Sequence, residues 1–421
     1  MHNTNKQTIT IQRTHFLKNN LLYNIFPFYM KILVIDNVNY YDYPTGGIMS
    51  FYRSLLPAFG DNLFLVGITT DNLTPVGKWT HRVIFGINFN FYSMANIKPN
   101  PKKPLIPERI KNCYFIKKNI YKILENDNSD IILTQSPEVV YFIPTNKLSK
   151  TCFLMPGVNN PMLISRYQWA RHLGKIYDKF FLMPKLSKVR WILAAADHNA
   201  IEEFAKRSEG KINAENIIQF PTRYNDNYYY VDNRAKCRNN LGYSPSTSIY
   251  VTVGRLGWFK GWKLMIDAFQ IVNQQISDSK LIFIGDGEDE LKIQKYIEEL
   301  NLSNSIELVG KKMPVDISMY LNASNVFVMG SYTEGWSTTL VEACACGVPC
   351  VVTDFSSAEE MINNGKNGYV VNNRDKKQFA KRMIDVLSIP REDVILFNEK
   401  FNHLSICHLK EDFQNALSFN S

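Results

Sequence analysis

The chain has 421 residues, of which 45% are hydrophobic and 21% charged, and its formal charge is +9 at pH 7. A chain of this length predicts two or more domains, because single hydrophobic cores stop growing at roughly 250–300 residues. It contains no apolar run approaching 18 residues, which argues against a membrane-spanning helix. The positive charge favours anionic partners, either nucleotide diphosphates or an anionic membrane. Neither zinc-finger spacing nor a basic DNA-reading helix is present, so nucleic acid is not predicted as a partner.

The first 29 residues differ in character from the rest of the chain. They begin polar, and their apolar patch is interrupted by Asn24 and Pro27, which is not typical of a signal peptide. Met30 precedes the pattern Lys31-Ile32-Leu33-Val34-Ile35-Asp36, which predicts a first core strand. Residues 1–29 are therefore expected to be an extension ahead of the first domain, or a mis-assigned start.

The seven cysteines are odd in number and scattered, which without a secretory signal is typical of reduced thiols in a cytosol. Cys344, Cys346 and Cys350 invite a metal interpretation. The better explanation is that these cysteines, together with Ala343 and Ala345, are small residues that pack a buried helix. The sequence predicts no metal site and no cofactor.

Short apolar runs alternate with helix-length segments along the whole chain. Many runs are rich in Val and Ile on both faces, as in buried parallel strands. In the N-terminal half the predicted strands span 31–36, 63–68, 130–134, 151–155, 191–195 and 217–220. In the C-terminal half they span 249–253, 281–285, 306–309, 326–329, 350–353 and 368–371. This alternation predicts an α/β protein with doubly wound sheets.

Two such series predict two Rossmann-like domains. We place an N-terminal domain at 30–220 and a C-terminal domain at 248–395. The linker is predicted at 221–247, where Pro221 and a polar, Tyr-rich run interrupt the pattern. The remaining segment, 396–421, has helical character, and we expect it to cross back to the first domain.

One candidate site follows the first strand of the C-terminal half. A strand ending at Val253 leads into a turn that contains Gly254, Arg255, Lys260 and Gly261. Ligands of open α/β sheets bind at the carboxyl ends of strands. A guanidinium and an ammonium at that edge suit a diphosphate. A solvated basic loop would give the same pattern.

A second candidate segment follows the strand at 326–329. Gly335 allows close approach of the backbone to a ligand, and Ser337 or Thr338 suits the start of a helix whose N–H groups face an anion. Glu334 precedes this turn, and Glu342 lies about one helical turn inside. Ionised carboxylates accept hydrogen bonds from sugar hydroxyls, so the pair predicts a sugar-binding edge.

These segments together resemble the retaining glycosyltransferases of family 4, also called glycosyl transferases group 1. The order is that of the family: a Gly-Arg…Lys-Gly loop, a Gly-Asp-Gly turn, and two glutamates separated by seven residues. The resemblance is strong over about 249–372. It implies the two-domain GT-B fold, in which two Rossmann-like domains face each other across a cleft. The N-terminal domain at 30–220 would then bind the acceptor, and the C-terminal domain at 248–395 would bind the nucleotide-sugar donor. The matching residues are Gly254, Arg255, Lys260, Gly261, Gly285, Asp286, Gly287, Glu334 and Glu342.

The resemblance also implies roles for these residues. Arg255 and Lys260 would neutralise the donor diphosphate, Glu342 would hold the ribose hydroxyls, and Glu334 would contact the donor sugar. The backbone N–H groups from Gly335 through Trp336 and Ser337 to Thr338 would assist, and Gly254 would line the donor site. The turn that contains Gly310 and Lys311 would lie near the base.

The N-terminal half offers fewer signals. Gly46 and Gly47 precede a predicted helix, and the family has a similar loop that faces the donor across the cleft; a plain tight turn is the alternative. Many family members carry a histidine after a middle strand of this domain, but here that strand ends at Met155 and no histidine follows directly. His198 lies after a later strand and is better explained as a surface or helix-capping residue. No catalytic histidine is therefore predicted.

The stretch 163–191 combines basic and aromatic residues. Seven cations accompany a single acid, Asp178, and aromatic residues are interspersed among them, which suits an anionic lipid surface or a lipid-linked acceptor. A helix with one buried and one solvated face is the competing explanation. The cations are Arg166, Arg171, Lys175, Lys179, Lys185, Lys188 and Arg190, and the aromatic residues are Tyr167, Trp169, Tyr177, Phe180, Phe181 and Trp191.

The predicted function is transfer of a sugar, with retention, from a UDP- or GDP-sugar to a glycan or lipid-linked acceptor. Bacterial-type cell-surface polysaccharide or glycolipid synthesis is the expected setting. The expected location is the cytoplasm, with peripheral contact at the inner face of the membrane. Two alternatives stay open: a nucleotide-sugar epimerase or phosphorylase of the same fold, and an inactive protein that binds a membrane or a partner.

Overall fold

A computed structural model describes residues 30–41, 47–97, 108–158, 160, 162 and 168–418. The predicted extension at 1–29 lies outside them. Two sheets dominate the fold. The strands of the first are β1 Ile32–Ile35, β2 Leu63–Thr69, β3 Trp79–Ile84, β4 Ile87–Asn96, β5 Ile131–Thr134, β6 Thr151–Met155, β7 Trp191–Ala194 and β8 Ile217–Gln219. Those of the second are β9 Ser248–Val253, β10 Ser279–Ile284, β11 Ile306–Leu308, β12 Val326–Met329, β13 Cys350–Thr353 and β14 Gly368–Val371.

Helices cover both faces of each sheet. Those of the N-terminal half are α1 Gly47–Phe59, α2 Glu108–Leu124, α3 Pro137–Phe142, α4 Gln168–Arg171, α5 Gly174–Ile176, α6 Met183–Leu186 and α7 His198–Arg207, with a π-helical turn at Tyr177–Leu182. Those of the C-terminal half are α8 Arg234–Leu241, α9 Trp262–Gln275, α10 Glu290–Glu299, α11 Pro314–Ala323, α12 Thr338–Ala345, α13 Ala358–Met361, α14 Lys376–Asp385, α15 Arg391–Asn398 and α16 Leu409–Ser418.

Both sheets are doubly wound, as predicted. The first has the order β3-β4-β2-β1-β5-β6-β7-β8, and β3 is its antiparallel edge strand; the second has the order β11-β10-β9-β12-β13-β14 and is parallel throughout. All twelve predicted strands are present. They could be predicted because strands buried on both faces are continuous apolar runs in the sequence. Cys344, Cys346 and Cys350 are buried within the apolar core of the second half.

The hairpin of β3 and β4 was missed from the sequence. β3 has three consecutive polar residues, Thr80, His81 and Arg82, and only Ile84 is buried, so it lacks the continuous apolar run of the buried strands. Phe85 and Gly86 join the two strands, and both have positive φ, as a tight two-residue hairpin turn requires. The alternation of Ile87, Phe89 and Phe91 with asparagines in β4 was the signal that could have revealed it.

Helix α16 returns to the first half of the molecule, as expected for the end of the chain. Phe413 is fully buried, and its ring packs edge-on against Phe59 and Phe220, with centroids 5.7 and 6.0 Å away. The indole N–H of Trp191 donates to the carbonyl oxygen of Leu417 at 2.7 Å. The N-terminal core therefore includes residues that follow the second sheet in the chain.

Hydrogen bonds also join the facing edges of the two halves. Asp197 follows β7, and its backbone N–H donates to the Ser356 hydroxyl at 3.0 Å, while its carboxylate accepts from the Ser357 N–H at 2.9 Å. The side-chain amide of Gln219 donates to the Glu360 carboxylate at 3.1 Å. Ser357 is buried with φ of 74°, a conformation that a non-glycine residue rarely adopts, so the surrounding contacts hold it there.

We expect Phe413→Ala to destabilise the N-terminal half rather than the C-terminal sheet. Removing a buried phenylalanine side chain costs about 3–5 kcal/mol. Hydrogen exchange should accelerate in β1 and β2, whose side chains share a core with Phe413, and stay unchanged in β9. The matched control is Glu411→Ala, an exposed position on the same helix. Equal acceleration in both sheets would show that α16 is not specific to the N-terminal core.

Candidate active site

The site predicted in the C-terminal half lies where β9 and β12 diverge. These strands are neighbours, but the chain leaves β9 towards β10 on one side and reaches β13 from β12 on the other. Crevices at such points, beyond the carboxyl ends of the strands, are the usual ligand sites of open α/β sheets. The loop after β9 carries Arg255 and Lys260, and the loop after β12 carries Glu334.

Glycines allow these loops to approach one another backbone to backbone. A β-carbon at Gly261, whose φ is +68°, would lie 1.7 Å from the carbonyl oxygen of Gly330. A β-carbon at Gly285, whose φ is +141°, would lie 1.9 Å from the carbonyl oxygen of Gly254. No side chain fits at either position, so the Gly-Arg loop, the Gly-Asp-Gly turn and the end of β12 stack directly.

Lys260 and Glu334 meet in this crevice. The Lys260 ammonium donates to Glu334 Oε1 at 2.7 Å, and the Ser331 hydroxyl donates to the same oxygen at 2.5 Å. The side chains of Lys260 and Glu334 are 22% and 14% exposed, so both face the crevice rather than bulk water. The structure thus brings together a cation and a carboxylate from segments 74 residues apart.

Arg255 lines the same pocket as Lys260, beside Gly254 and Ser331. Its guanidinium donates from Nε to Glu288 Oε2 at 2.8 Å, and both side chains are about half exposed. Arg255 therefore keeps most of its donors available towards solvent, and a phosphate at the pocket mouth could be reached by it and by Lys260.

The start of α12 faces the N-terminal half. Ser337 is its N-cap and accepts from the Leu340 N–H through its hydroxyl, at 3.4 Å, as predicted for this position. Gly335 lies against the first sheet, since a β-carbon there would be 2.2 Å from the carbonyl oxygen of Pro156 and 2.7 Å from that of Ala195. Trp336 is buried, and its indole N–H has no acceptor among the described residues.

Glu342 lies one turn further along α12 and does not contact Glu334's partners. The Tyr229 hydroxyl hydrogen-bonds to its carboxyl group, and burial raises the pKa of Glu342 to about 8. A carboxyl group in this state is largely protonated at pH 7. The two glutamates of the motif therefore occupy different environments, one ion-paired with Lys260 and one shielded by Tyr229.

The remaining predicted positions are more peripheral. Gly310 has φ of +71° and accepts from the Gly285 N–H at 3.0 Å, which places its turn beside the Gly-Asp-Gly turn, and Lys311 next to it is exposed. Gly46 lies outside the described residues, whereas Gly47 is the first residue of α1. His198 begins α7 at an exposed position, and its backbone N–H donates to Glu360 at 3.2 Å.

Sequence reasoning missed a buried acid in the N-terminal half. Asp36 directly follows β1, at the point where β1 and β5 diverge. It accepts hydrogen bonds from the Thr134 hydroxyl at 2.9 Å, the Gln135 N–H at 3.0 Å and the Tyr52 hydroxyl. Burial raises the pKa of Asp36 to about 6. An aspartate that directly follows four apolar strand residues was the available signal. Its contact with Tyr52 fixes α1 against the sheet.

A second missed residue is Arg374, in the loop after β14. Its guanidinium donates to the carbonyl oxygens of Gly330 and Ser331 and lies 3.4 Å from the centroid of the Tyr332 ring. No motif spacing marks this residue, because its loop is remote in sequence from both candidate segments.

Comparison with known proteins identifies the class to which this architecture belongs. HepE of Anabaena, solved with UDP and glucose, superposes with a TM-score of 0.65 at 16% identity, covering 92% of this chain and 99% of that one. The fold is GT-B, as predicted. Residues 233–400 match the family model for glycosyl transferases group 1, and this match confirms the resemblance seen in the sequence.

Two curated relatives extend the match. An uncharacterized glycosyltransferase of Methanocaldococcus jannaschii is 27% identical over 277 residues, which cover 62% of this chain and 64% of the relative. The UDP-Gal:alpha-D-GlcNAc-diphosphoundecaprenol alpha-1,3-galactosyltransferase of Escherichia coli is 31% identical over 150 residues, which cover 35% and 38%. The chain thus spans less than two thirds of the length of these relatives.

We expect Glu342→Gln to gain stability relative to the wild type as pH rises. A carboxyl group whose pKa rises from 4.5 to about 8 on folding stabilises the folded state fully below pH 4.5, and this contribution is lost between pH 4.5 and 8. The loss is at most about 1.4 kcal/mol per pH unit. Denaturant unfolding at pH 5, 6.5 and 8 measures it; Glu359→Gln, on a neighbouring helix, is the control. A pH-independent difference would contradict the assignment.

Proposed function

We propose that the protein is a glycosyltransferase that moves a sugar from a nucleotide-diphosphate sugar to a glycan or lipid-linked acceptor. The observation that carries the proposal is the Lys260–Glu334 contact of 2.7 Å, with Arg255 in the same pocket. A cation for the leaving phosphates and a carboxylate for the sugar stand side by side at the divergence of β9 and β12. The match of residues 233–400 to the family model for glycosyl transferases group 1 supports the same activity.

The chemistry proposed for the site is electrostatic. Negative charge builds on the diphosphate as the bond to the sugar breaks, and Lys260, Arg255 and the N–H groups at the start of α12 would stabilise it. Glu334 would accept hydrogen bonds from sugar hydroxyls beside the reacting carbon. Glu342 would bind the ribose hydroxyls. For this, the hydrogen bond between the Tyr229 hydroxyl and the Glu342 carboxyl group would have to break. Retention of configuration is inferred from the family resemblance alone.

The proposed donor and the proposed acceptor are supported by two different comparisons. HepE of Anabaena was crystallised with UDP, which favours a UDP-sugar here over a GDP-sugar. The name of the Escherichia coli relative describes transfer to a diphosphoundecaprenol-linked sugar, which favours a lipid-linked acceptor of bacterial-type surface polysaccharide synthesis. We place the reaction at the cytoplasmic face of the membrane. Among the described residues, no helix is both long and apolar enough to cross a bilayer.

Lys260→Ala is expected to lower turnover about 10²–10³-fold, because a preorganised cation at the leaving group is lost. Arg255→Ala should lower it less, since Arg255 is half exposed and already paired with Glu288. A thermal-shift screen with UDP, GDP and their sugars first identifies the donor. Donor hydrolysis and transfer are then measured, with isomerised donor assayed in parallel.

The control for these variants is Lys295→Ala, an exposed lysine on α10. Near-normal turnover in Lys260→Ala, with an unchanged circular dichroism spectrum, would contradict the diphosphate role. Isomerised donor without transfer would instead indicate an epimerase, and stabilisation by nucleotides without any turnover would indicate an inactive binding protein.

We further propose that the segment 168–188 contacts an anionic membrane. Trp169, Leu173, Ile176 and Phe180 are all exposed, at helical spacing of four, three and four residues. Apolar side chains at an interface of this kind bury in the headgroup region while neighbouring cations meet anionic lipids. The competing explanation, a helix that buries its aromatic residues in the core, holds for Trp191, which is 4% exposed. It does not hold for Trp169 or Phe180, whose side chains are exposed.

The charges around this face reinforce the proposal. Asp178, the only acid of the stretch, is buried and paired with Arg207 at 2.9 Å, so its charge does not oppose an anionic surface. Lys175, Lys179 and Lys188 are exposed. Lys185 differs from them, because its ammonium donates to the Ile143 carbonyl oxygen at 3.1 Å. Arg166 and Tyr167 lie outside the described residues.

Co-sedimentation with vesicles tests the membrane proposal. Binding to phosphatidylglycerol but not phosphatidylcholine vesicles is expected, weakening as salt rises, since each cation near the surface contributes about 1 kcal/mol. The triple variant Lys175→Glu, Lys179→Glu and Lys188→Glu should abolish vesicle binding. The matched control is the triple variant Lys366→Glu, Lys376→Glu and Lys377→Glu, at exposed positions of the C-terminal half. Wild-type protein that stays in the supernatant at low salt would refute the proposal.

A further inference from the structure

We propose that Arg374 is a positioning residue: it holds the loop after β12 in the conformation in which Glu334 meets Lys260. The inference rests on the proposed function of that site, but it concerns a residue outside the motifs that define it. Arg374 lies in the loop after β14, beyond β13, and its side chain reaches across to the end of β12.

The contacts of Arg374 fix backbone rather than side chains. Nη1 donates to the Gly330 carbonyl oxygen at 2.9 Å, and Nη2 donates to the Ser331 carbonyl oxygen. The planar guanidinium also lies 3.4 Å from the ring centroid of Tyr332. Three successive residues are thus held by one side chain. Only a forked, planar cation provides two parallel donors and a face for stacking at once.

The segment held in this way leads directly to the reacting groups. Ser331, whose carbonyl Arg374 holds, donates its hydroxyl to Glu334 at 2.5 Å. The same carbonyl accepts from the Thr353 hydroxyl at 2.7 Å. A shift of residues 330–332 would therefore move both the Ser331 hydroxyl and the carboxylate that it meets.

The segment is also tied to the loop that carries Lys260. The Tyr332 N–H donates to the Phe259 carbonyl oxygen at 2.8 Å, and the Tyr332 ring lies 5.5 Å from that of Trp258. Arg374 stacks on the Tyr332 ring of this aromatic pair. It therefore supports the relative position of the two loops whose side chains meet at 2.7 Å.

A direct role in phosphate binding is the competing explanation. The guanidinium of Arg374 donates to two carbonyl oxygens, which uses two of its five N–H donors, so a phosphate bound by the other donors would leave the loop contacts in place. The two explanations differ in measurable terms. A positioning residue affects turnover while leaving affinity for the nucleoside diphosphate nearly unchanged, whereas a phosphate ligand affects both.

The test compares Arg374→Ala, Arg374→Lys and Thr353→Val with Arg382→Ala. Arg382 is the matched control, since it lies on the adjacent helix α14 and stacks over Tyr369 with its guanidinium 4.6 Å from the ring centroid. Turnover of the donor, the dissociation constant for UDP from calorimetry, and hydrogen exchange of residues 330–338 are measured for each, and thermal melting confirms that each variant is folded.

We expect Arg374→Ala to lower turnover roughly tenfold or more, because small displacements of a reacting group have large kinetic effects. Hydrogen exchange of 330–338 should accelerate, and the UDP dissociation constant should change less than about threefold. Arg374→Lys should recover little, since an ammonium keeps the charge but not the fork. Thr353→Val should shift turnover in the same direction by less, and Arg382→Ala should match the wild type.

Unchanged exchange and turnover in Arg374→Ala would overturn the proposal. So would a loss of UDP affinity as large as the loss of turnover, or full rescue by lysine, since either would identify charge rather than geometry as the contribution. Failure of the proposed function is distinguishable. In that case the wild-type protein itself turns over no donor, while hydrogen exchange still reports whether Arg374 orders residues 330–338.

Discussion

Close stacking of backbone at the carboxyl ends of β9, β10 and β12 is the constraint on which the site depends. Side chains are absent from Gly261 and Gly285 because carbonyl oxygens occupy the space that a β-carbon would need. The loops that follow the three strands can then touch, and residues far apart in the chain reach one another. Without that approach, the Lys260 ammonium and the Glu334 carboxylate would not share a crevice. Steric exclusion therefore produces the electrostatic arrangement.

Each cation of the crevice already has a carboxylate partner, Glu334 for Lys260 and Glu288 for Arg255. The two pairs differ in solvent exposure, and so in strength. The exposed pair with Glu288 contributes little, whereas the pair with Glu334 is shielded from water and strengthened by the lower local dielectric. For the proposed donor, phosphate would exchange readily with Glu288. At Lys260 the phosphate would have to displace Glu334, which is the more strongly held partner. The displaced Glu334 carboxylate would then be available to the sugar.

Much of the fold and site was predictable because the pattern is local. Buried parallel strands are continuous apolar runs, and the motif residues follow them directly, as Lys260 and Glu334 do. The β3–β4 hairpin was missed because β3 is exposed and lacks such a run. Arg374 was missed for a different reason: its partners are carbonyl oxygens of a distant loop, and backbone acceptors leave no mark on composition or spacing. Contacts between side chain and remote backbone emerge only from tertiary structure.

The return of α16 to the first sheet has a consequence for how the molecule is made. Leu409, Phe413 and Leu417 are fully buried in the N-terminal core, yet the whole second sheet precedes them in the chain. During synthesis, the first domain emerges long before the helix that closes its core. Until the second domain has left the ribosome, α16 cannot cover Phe59 and Phe220, and the core of the first domain stays incomplete. Completion of the two domains is thus linked in time, and a nascent chain exposes an apolar surface suited to chaperone binding.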